Sequence, residues 1–148
     1  MIVKQKAPKA PKSPKSIPPS IDGLPVSQFI RETREFVGNA KKPQGADASP
    51  EAREKTMVEA ARRQVLAEDA WNTISSSIES RREKASLWAL VDELFFVVMS
   101  SPARSPEALK AKALLLKRWN SDRSGALHPA ADMGQELAFV LAEDILAL

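Results

Sequence analysis

Thirteen consecutive residues, Leu87 to Met99 (LWALVDELFFVVM), are apolar except for Asp92 and Glu93. A segment this apolar has to be buried, and its secondary structure decides the class of fold. The stretch FFVVM taken alone would suit a strand. Yet Leu87, Val91, Leu94 and Val98 keep the i, i+4, i+7, i+11 spacing of one helical face, and the chain holds no second strand-like run for it to pair with. The segment is therefore expected as a buried central helix, with Trp88 and Phe95 in the core. It should stop at Ser100-Ser101-Pro102, because the residue before a proline is pushed out of helical angles. Asp92 and Glu93 fall on one side of it, which makes a solvent-facing stripe, since a charge facing a core must be paired or neutralised.

Two further helices announce their starts in the same way. Ser49-Pro50-Glu51 and Ser105-Pro106-Glu107 each supply a hydroxyl cap, a proline at the first helical position and an acid in the first turn. The first of these helices is expected to run to the low eighties, with Glu51/Lys55 and Glu59/Arg63 as exposed i, i+4 pairs. At about 100° per residue, Val58, Ala61 and Val65 point one way, and Trp71, Ile74 and Ile78 point roughly 130° away from them. That drift implies either a change of packing partner along one long helix or a kink near Leu66 to Ala70. The second helix should reach Trp119 with Leu109, Ala113, Leu116 and Trp119 inward, followed by a loop from Asn120 to Ala126 (NSDRSGA). A last helix from Pro129 or Ala130 should bury Met133, Leu137, Val140, Leu141, Ile145 and Leu148.

Upstream of Ser49 the sequence changes character. Ser27 to Val37 reads as a short amphipathic helix, with Ser27 as N-cap, Phe29, Ile30, Thr33, Phe36 and Val37 on one face, and Gly38-Asn39 as the stop. Gly38 to Ala48 is a loop by composition. The first twenty residues contain the repeat APK-APK-SPK and five lysines without an acid, a local charge of +5. An extended polyproline-like segment of this kind lines up Lys9, Lys12 and Lys15 and buries nothing, so it is expected to be disordered. The organisation that follows is a basic tail over 1–20, a short helical arm and loop over 21–48, and an all-α, four-helix bundle-like body over 49–148.

The chain of 148 residues is one domain's worth. It has no cysteine, which excludes disulfide frameworks, thiolate metal sites and cysteine nucleophiles. Neither a secretory leader nor a run of about 18 to 20 apolar residues is visible, so no membrane span and a cytoplasmic location are expected. The formal charge of +3 invites a nucleic-acid reading, but taking the five tail lysines from the 22 basic residues leaves 17 against 19 acids. The basicity belongs to Lys4, Lys6, Lys9, Lys12 and Lys15, which are the candidate nucleic-acid contacts.

Other constellations favour structure over chemistry. His128, the single histidine, is followed by Pro129 and suits a cap or lead-in to the last helix better than a catalytic base. The acids Glu68/Asp69, Asp92/Glu93, Asp132/Glu136 and Glu143/Asp144 lack a Glu-x-x-His pair, and Phe139 stands where a Glu-x-x-Asp motif from Glu136 would need an acid; no metal or cofactor is expected. Gly23, Gly38, Gly45, Gly125 and Gly134 are isolated, so there is no glycine-rich phosphate loop. A helix-turn-helix around Pro102 to Ser105 would offer Arg104, Lys110, Lys112, Lys117 and Arg118, but these spread around their helix instead of sharing a face. The tryptophans and phenylalanines sit among aliphatics at helical spacing, as core residues do.

From about Ala70 onward, SSPARSPEALKAKALLLKRW (Ser100 to Trp119) and the terminal ELAFVLAEDILAL resemble a group of uncharacterised small all-helical bacterial proteins, often encoded near mobile or phage-derived genes. The group commonly shows a Thr-Pro-Ala turn, here Ser101-Pro102-Ala103, and a Leu-x-x-Lys-Ala pattern, here Leu109-Lys110-Ala111-Lys112-Ala113. The resemblance covers about half the chain, implies helical architecture and a bacterial cytoplasmic origin, and carries over no functional residue. Side chains spent on packing point to a non-enzymatic helical adaptor that binds a protein partner or itself. The alternative is a nucleic-acid accessory protein acting through the Lys/Pro tail.

Overall fold

The computed structural model describes residues 20–42, 49–74 and 77–148. Its elements are α1 (Val26–Lys41), α2 (Pro50–Thr73), a 3-10 turn at Ile78–Ser80, α3 (Arg81–Ser100), α4 (Pro106–Trp119) and α5 (Met133–Leu146). The chain is all-helical; β geometry among the described residues is limited to isolated bridges between Ile21 and Leu24 and between Ser121 and Leu127. The Lys/Pro tail, with Lys4, Lys6, Lys9, Lys12 and Lys15, and the loop residues 43–48 lie outside the described residues.

Both Ser-Pro-Glu starts are where the local chemistry puts them. The Ser49 hydroxyl accepts from the Ala52 N–H at 3.1 Å and the Ser105 hydroxyl from the Ala108 N–H at 3.2 Å. Each satisfies one of the four orphan donors of a helix start. Three other boundaries differ from expectation. Ser27 is not a cap: Asp22 and Gly23 both take positive φ (56° and 75°), and Ile21 and Leu24 exchange two backbone hydrogen bonds around them. This tight turn delivers the chain to Pro25, whose carbonyl accepts from Gln28 and Phe29, so α1 already begins at Val26. Nor does Gly38 stop α1, which runs on to Lys41; one glycine costs a helix only about 1 kcal/mol. Finally, α2 ends at Thr73 and not in the low eighties. It passes through Leu66 to Ala70 without a break, and Ile78 beyond it is 82% exposed. Ile74 takes extended angles (φ −68°, ψ 129°) as it turns into the core, and this closes the helix.

The core forms where α3 meets α2. Leu87, Leu90, Val91, Leu94 and Val98 of α3 pack with Met57 and the small Ala60, Ala61, Ala67 and Ala70 of α2, whose lack of bulk lets the two axes approach. Asp92 and Glu93 are exposed, as the stripe requires. Helix α1 lays Val26, Phe29, Ile30 and Val37 into the same core, mainly against α3. Buried Thr33 accepts a hydrogen bond from Arg63 at 3.0 Å. Helix α4 contacts both α2 and α3, whereas α5 contacts α4 and, among the described residues, no other helix.

The outer two helices correct the expected burial. In α4 the buried residues are Ala108, Ala113 and Leu115, while Leu109 and Trp119 are exposed. Trp119 instead stacks on half-buried Phe95 at 4.9 Å. Trp88 is 43% exposed and so stands only partly in the core, at 4.9 Å from the Trp71 ring. Helix α5 starts at Met133, later than Pro129 or Ala130, on a reciprocal capping box: the Asp132 carboxylate accepts from the Gln135 N–H at 2.8 Å, and the Gln135 amide oxygen from the Asp132 N–H at 2.9 Å. It buries Phe139 and Ala142, and leaves Met133, Leu137, Val140, Leu141 and Leu148 exposed. Two apolar faces were available on this helix, and the one with fewer large side chains is the one that docks.

Candidate functional site

The feature of the fold best suited to receive another molecule lies between α2 and α4. Two polar clips hold these helices together at their ends. At one, the Glu54 carboxylate accepts from the backbone N–H groups of Arg104 at 2.6 Å and Ser105 at 3.0 Å, fixing the α3–α4 turn to α2. The Ser105 hydroxyl and then the Arg104 N–H hold the Glu54 carboxyl below its usual range. At the other, Arg118 donates to Asp69 at 2.7 Å and lies 3.5 Å from Glu68. A carboxylate thus stands at the N-terminal end of α4 and a guanidinium at its C-terminal end, each complementing the helix dipole.

Between the clips the helices do not close on one another. A groove of about 520 Å³ opens there, floored by Val58, Ala61, Val65 and Leu66 of α2 and by Ala111 and Leu114 of α4. Leu146 of α5 reaches its edge, and Arg62, Glu107 and Lys110 rim it. Arg62 is held by Glu59 at 2.8 Å and Asp22 at 3.0 Å, which keeps its charge at the rim and raises its pKa, the Glu59 hydrogen bond being the main cause. The same pairing lowers the Glu59 carboxyl. An apolar floor with charged edges of both signs is the lining expected of a site for an amphipathic segment. Leu114 and Leu146 also line an adjoining, more polar pocket of about 570 Å³ that contains Trp71, Trp88, Asp69, Arg118 and Arg123.

The groove accounts for the drifting stripe on α2. Val58 and Val65, expected inward, are half-buried at the groove, while Met57, Ala60, Gln64 and Ala67 carry the packing on α3. A rotation of one residue, about 100°, separates the two sets. The residues were legible in sequence; that the fold covers them only in part was not.

Three of the five basic residues weighed for a helix-turn-helix engage partners within the chain through their side chains. Lys112 donates to the Met99 carbonyl at 3.4 Å, Lys117 lies 3.7 Å from Glu143 and 5.7 Å over the Phe139 ring, and Arg118 binds Asp69. Lys110 stands on the groove rim. His128 belongs to the α4–α5 connection: its N–H donates to the Asn120 carbonyl at 2.9 Å and its Nδ1 accepts from the Ala130 N–H at 3.1 Å. That arrangement leaves the other nitrogen, Nε2, to carry the proton of the neutral ring. The cap of α5 is Asp132, so His128 shapes the lead-in and does not terminate the helix. The acid pairs are likewise dispersed, Glu68 and Asp69 to Arg118, Glu143 to Lys117 and Glu93 to Lys41 at 3.8 Å. Among the described residues no three acidic or histidine side chains converge as metal ligands, and no helix is long and apolar enough to cross a membrane. Comparison of the chain with protein-family models, with curated proteins and with solved structures finds no match.

Proposed function

We propose that this chain is a non-enzymatic protein-binding module: a bundle-like body of four helices from residue 49, with α1 docked as an arm and residues 1–20 as a Lys/Pro-rich tail. Its α2/α4 groove takes an amphipathic helix from a partner protein. The observation that carries this reading is the groove itself, which leaves Val58, Val65, Leu66 and Leu114 without a full set of neighbours while both of its ends are fixed. A rigid, pre-opened cleft between two helices spares the binding partner the cost of opening it. The mixed rim of Arg62, Glu107 and Lys110 would set the direction and register of the bound helix.

We place this module in the bacterial cytoplasm, on the resemblance of Ser100 to Trp119 and the terminal helix to small helical proteins encoded near mobile elements. The direct experiment is affinity capture from native lysate, with and without nuclease, comparing wild type with Leu114→Glu. Capture of a defined protein that survives nuclease and is lost in the variant supports the groove. Capture that is equal in both variants refutes it.

A second reading is favoured by the charge distribution, in which five lysines without an acid precede a body of 17 bases and 19 acids. In that reading the tail is a tether to nucleic acid, binding phosphates without reading bases.

A further inference from the structure

Helix α5 is apolar on two opposite faces. Phe139 and Ala142 dock on α4, and about 180° away Met133, Leu137, Val140, Leu141 and Asp144 form a second stripe, which exposed Leu148 extends just past the end of the helix. Met133 is 86%, Leu137 69% and Leu148 85% exposed. A helix with two apolar faces normally has both of them covered. The five apolar members of the stripe present on the order of 600 Å², at the upper end of what a monomer exposes.

We infer that this face is the interface of a two-fold symmetric homodimer, formed by antiparallel pairing of α5 with α5 of a second copy. The first argument is the order of residues along the stripe. It is symmetric about the point between Val140 and Leu141, so a two-fold axis there sets Val140 against the partner's Leu141 and Met133 against the partner's Leu148. Every stripe position then meets another stripe position, which is the self-complementarity that an isologous interface demands. The second argument is area. Two such faces bury about 1,200 Å², where the range of specific stable interfaces begins. The third is the one polar member, Asp144, which the same axis sets beside the partner's Leu137 and near the positive N-terminal end of the partner's α5. A single polar residue in an otherwise apolar seam fixes register at some cost in affinity.

This interface lies on a different face from the α2/α4 groove and does not depend on it. The test is sedimentation equilibrium of the full chain over a broad concentration series, with thermal unfolding at high dilution as the check on folding. Wild type should associate to a dimer and no further. Leu137→Asp should weaken the dimer by at least about a hundredfold, because burying one leucine is worth about tenfold or more and the symmetry counts the change twice. Leu137→Lys, which sets an ammonium beside the partner's Asp144, should lose much less. Asp144→Leu should tighten the dimer, and Leu114→Glu in the groove should leave it unchanged. A wild type that stays monomeric, or a dimer that survives Leu137→Asp, overturns the inference. Equal losses in the aspartate and lysine variants overturn the two-fold register.

Discussion

Leu94 and Phe96 sit two residues apart on α3, and the fold assigns them opposite consequences. Leu94 is fully buried beside Leu90, Val91 and Val98, all themselves buried, whereas Phe96 is 63% exposed. Leu94→Ala removes three carbons from water-excluded space, about 2 kcal/mol of transfer free energy. Its neighbours are held by two packed helices and cannot collapse fully onto the gap, so a cavity contribution brings the loss to about 3 to 4 kcal/mol. Phe96→Ala removes a larger side chain but should cost under about 1 kcal/mol, because most of that ring is already hydrated. The assay is urea unfolding followed by far-ultraviolet circular dichroism. With a slope of about 1.5 kcal/mol per molar, the midpoint of Leu94→Ala should fall by about 2 M with the slope unchanged. A loss for Phe96→Ala equal to or greater than that for Leu94→Ala would refute the orientation of α3 and the core built on it.

Two other outcomes follow from named contacts, and a third from the charge of the tail. Ser49→Ala and Ser105→Ala should each cost about 1 kcal/mol in the same assay, since each unties one helix-start donor. Glu54, Glu59 and Asp122 are all held below their usual range, by the Ser105 hydroxyl, by Arg62 and by the Ser124 hydroxyl respectively. Each therefore binds a proton less readily folded than unfolded, so its stabilisation is complete above the ordinary carboxylate range and is lost as pH falls through that range toward the lowered folded values. Melting temperature should drop on acidification, and Glu54→Gln should flatten part of that drop; a melting curve indifferent to acid would contradict these contacts. If the tail is a nucleic-acid tether, affinity for duplex DNA should fall with salt at a log-log slope of about −4. Replacing Lys4, Lys6, Lys9, Lys12 and Lys15 by glutamine should abolish that binding, while replacing Lys110, Lys117 and Arg118 should matter little; the reverse pattern would return the folded helix as the reader.

What the sequence discloses well is chemistry that acts within one turn. Ser49-Pro50-Glu51, Ser105-Pro106-Glu107 and Ser101-Pro102 mark boundaries through local caps and steric exclusion, and the structure has them all. The buried face of α3 was legible because four large residues repeat there at helical spacing. Misreadings arise where the decision belongs to a neighbour. Periodicity on α5 identifies an apolar face, but Phe139 and Ala142 form a second one, and only the docking on α4 chooses between them. Similarly, Leu109 and Leu116 lie about 100° around α4 from the buried Ala108 and Leu115, while Trp119 shares their side of the helix but stands exposed in its last turn, where Phe95 meets it. The start of α1 is hidden in the sequence because Asp22 as well as Gly23 adopts the left-handed conformation, which aspartate tolerates but does not advertise.

The central claim is that the α2/α4 groove holds a helix of another protein. Its most direct measurement is site-specific photocrosslinking in native lysate, with the photoreactive residue placed at Ala111 on the groove floor and, as control, at exposed Glu35 on α1. The account predicts a discrete protein adduct from position 111, unaffected by nuclease, absent from position 35 and lost when Val65→Lys is added. The same adducts from both positions, or an adduct from position 111 that disappears on nuclease treatment, would contradict it.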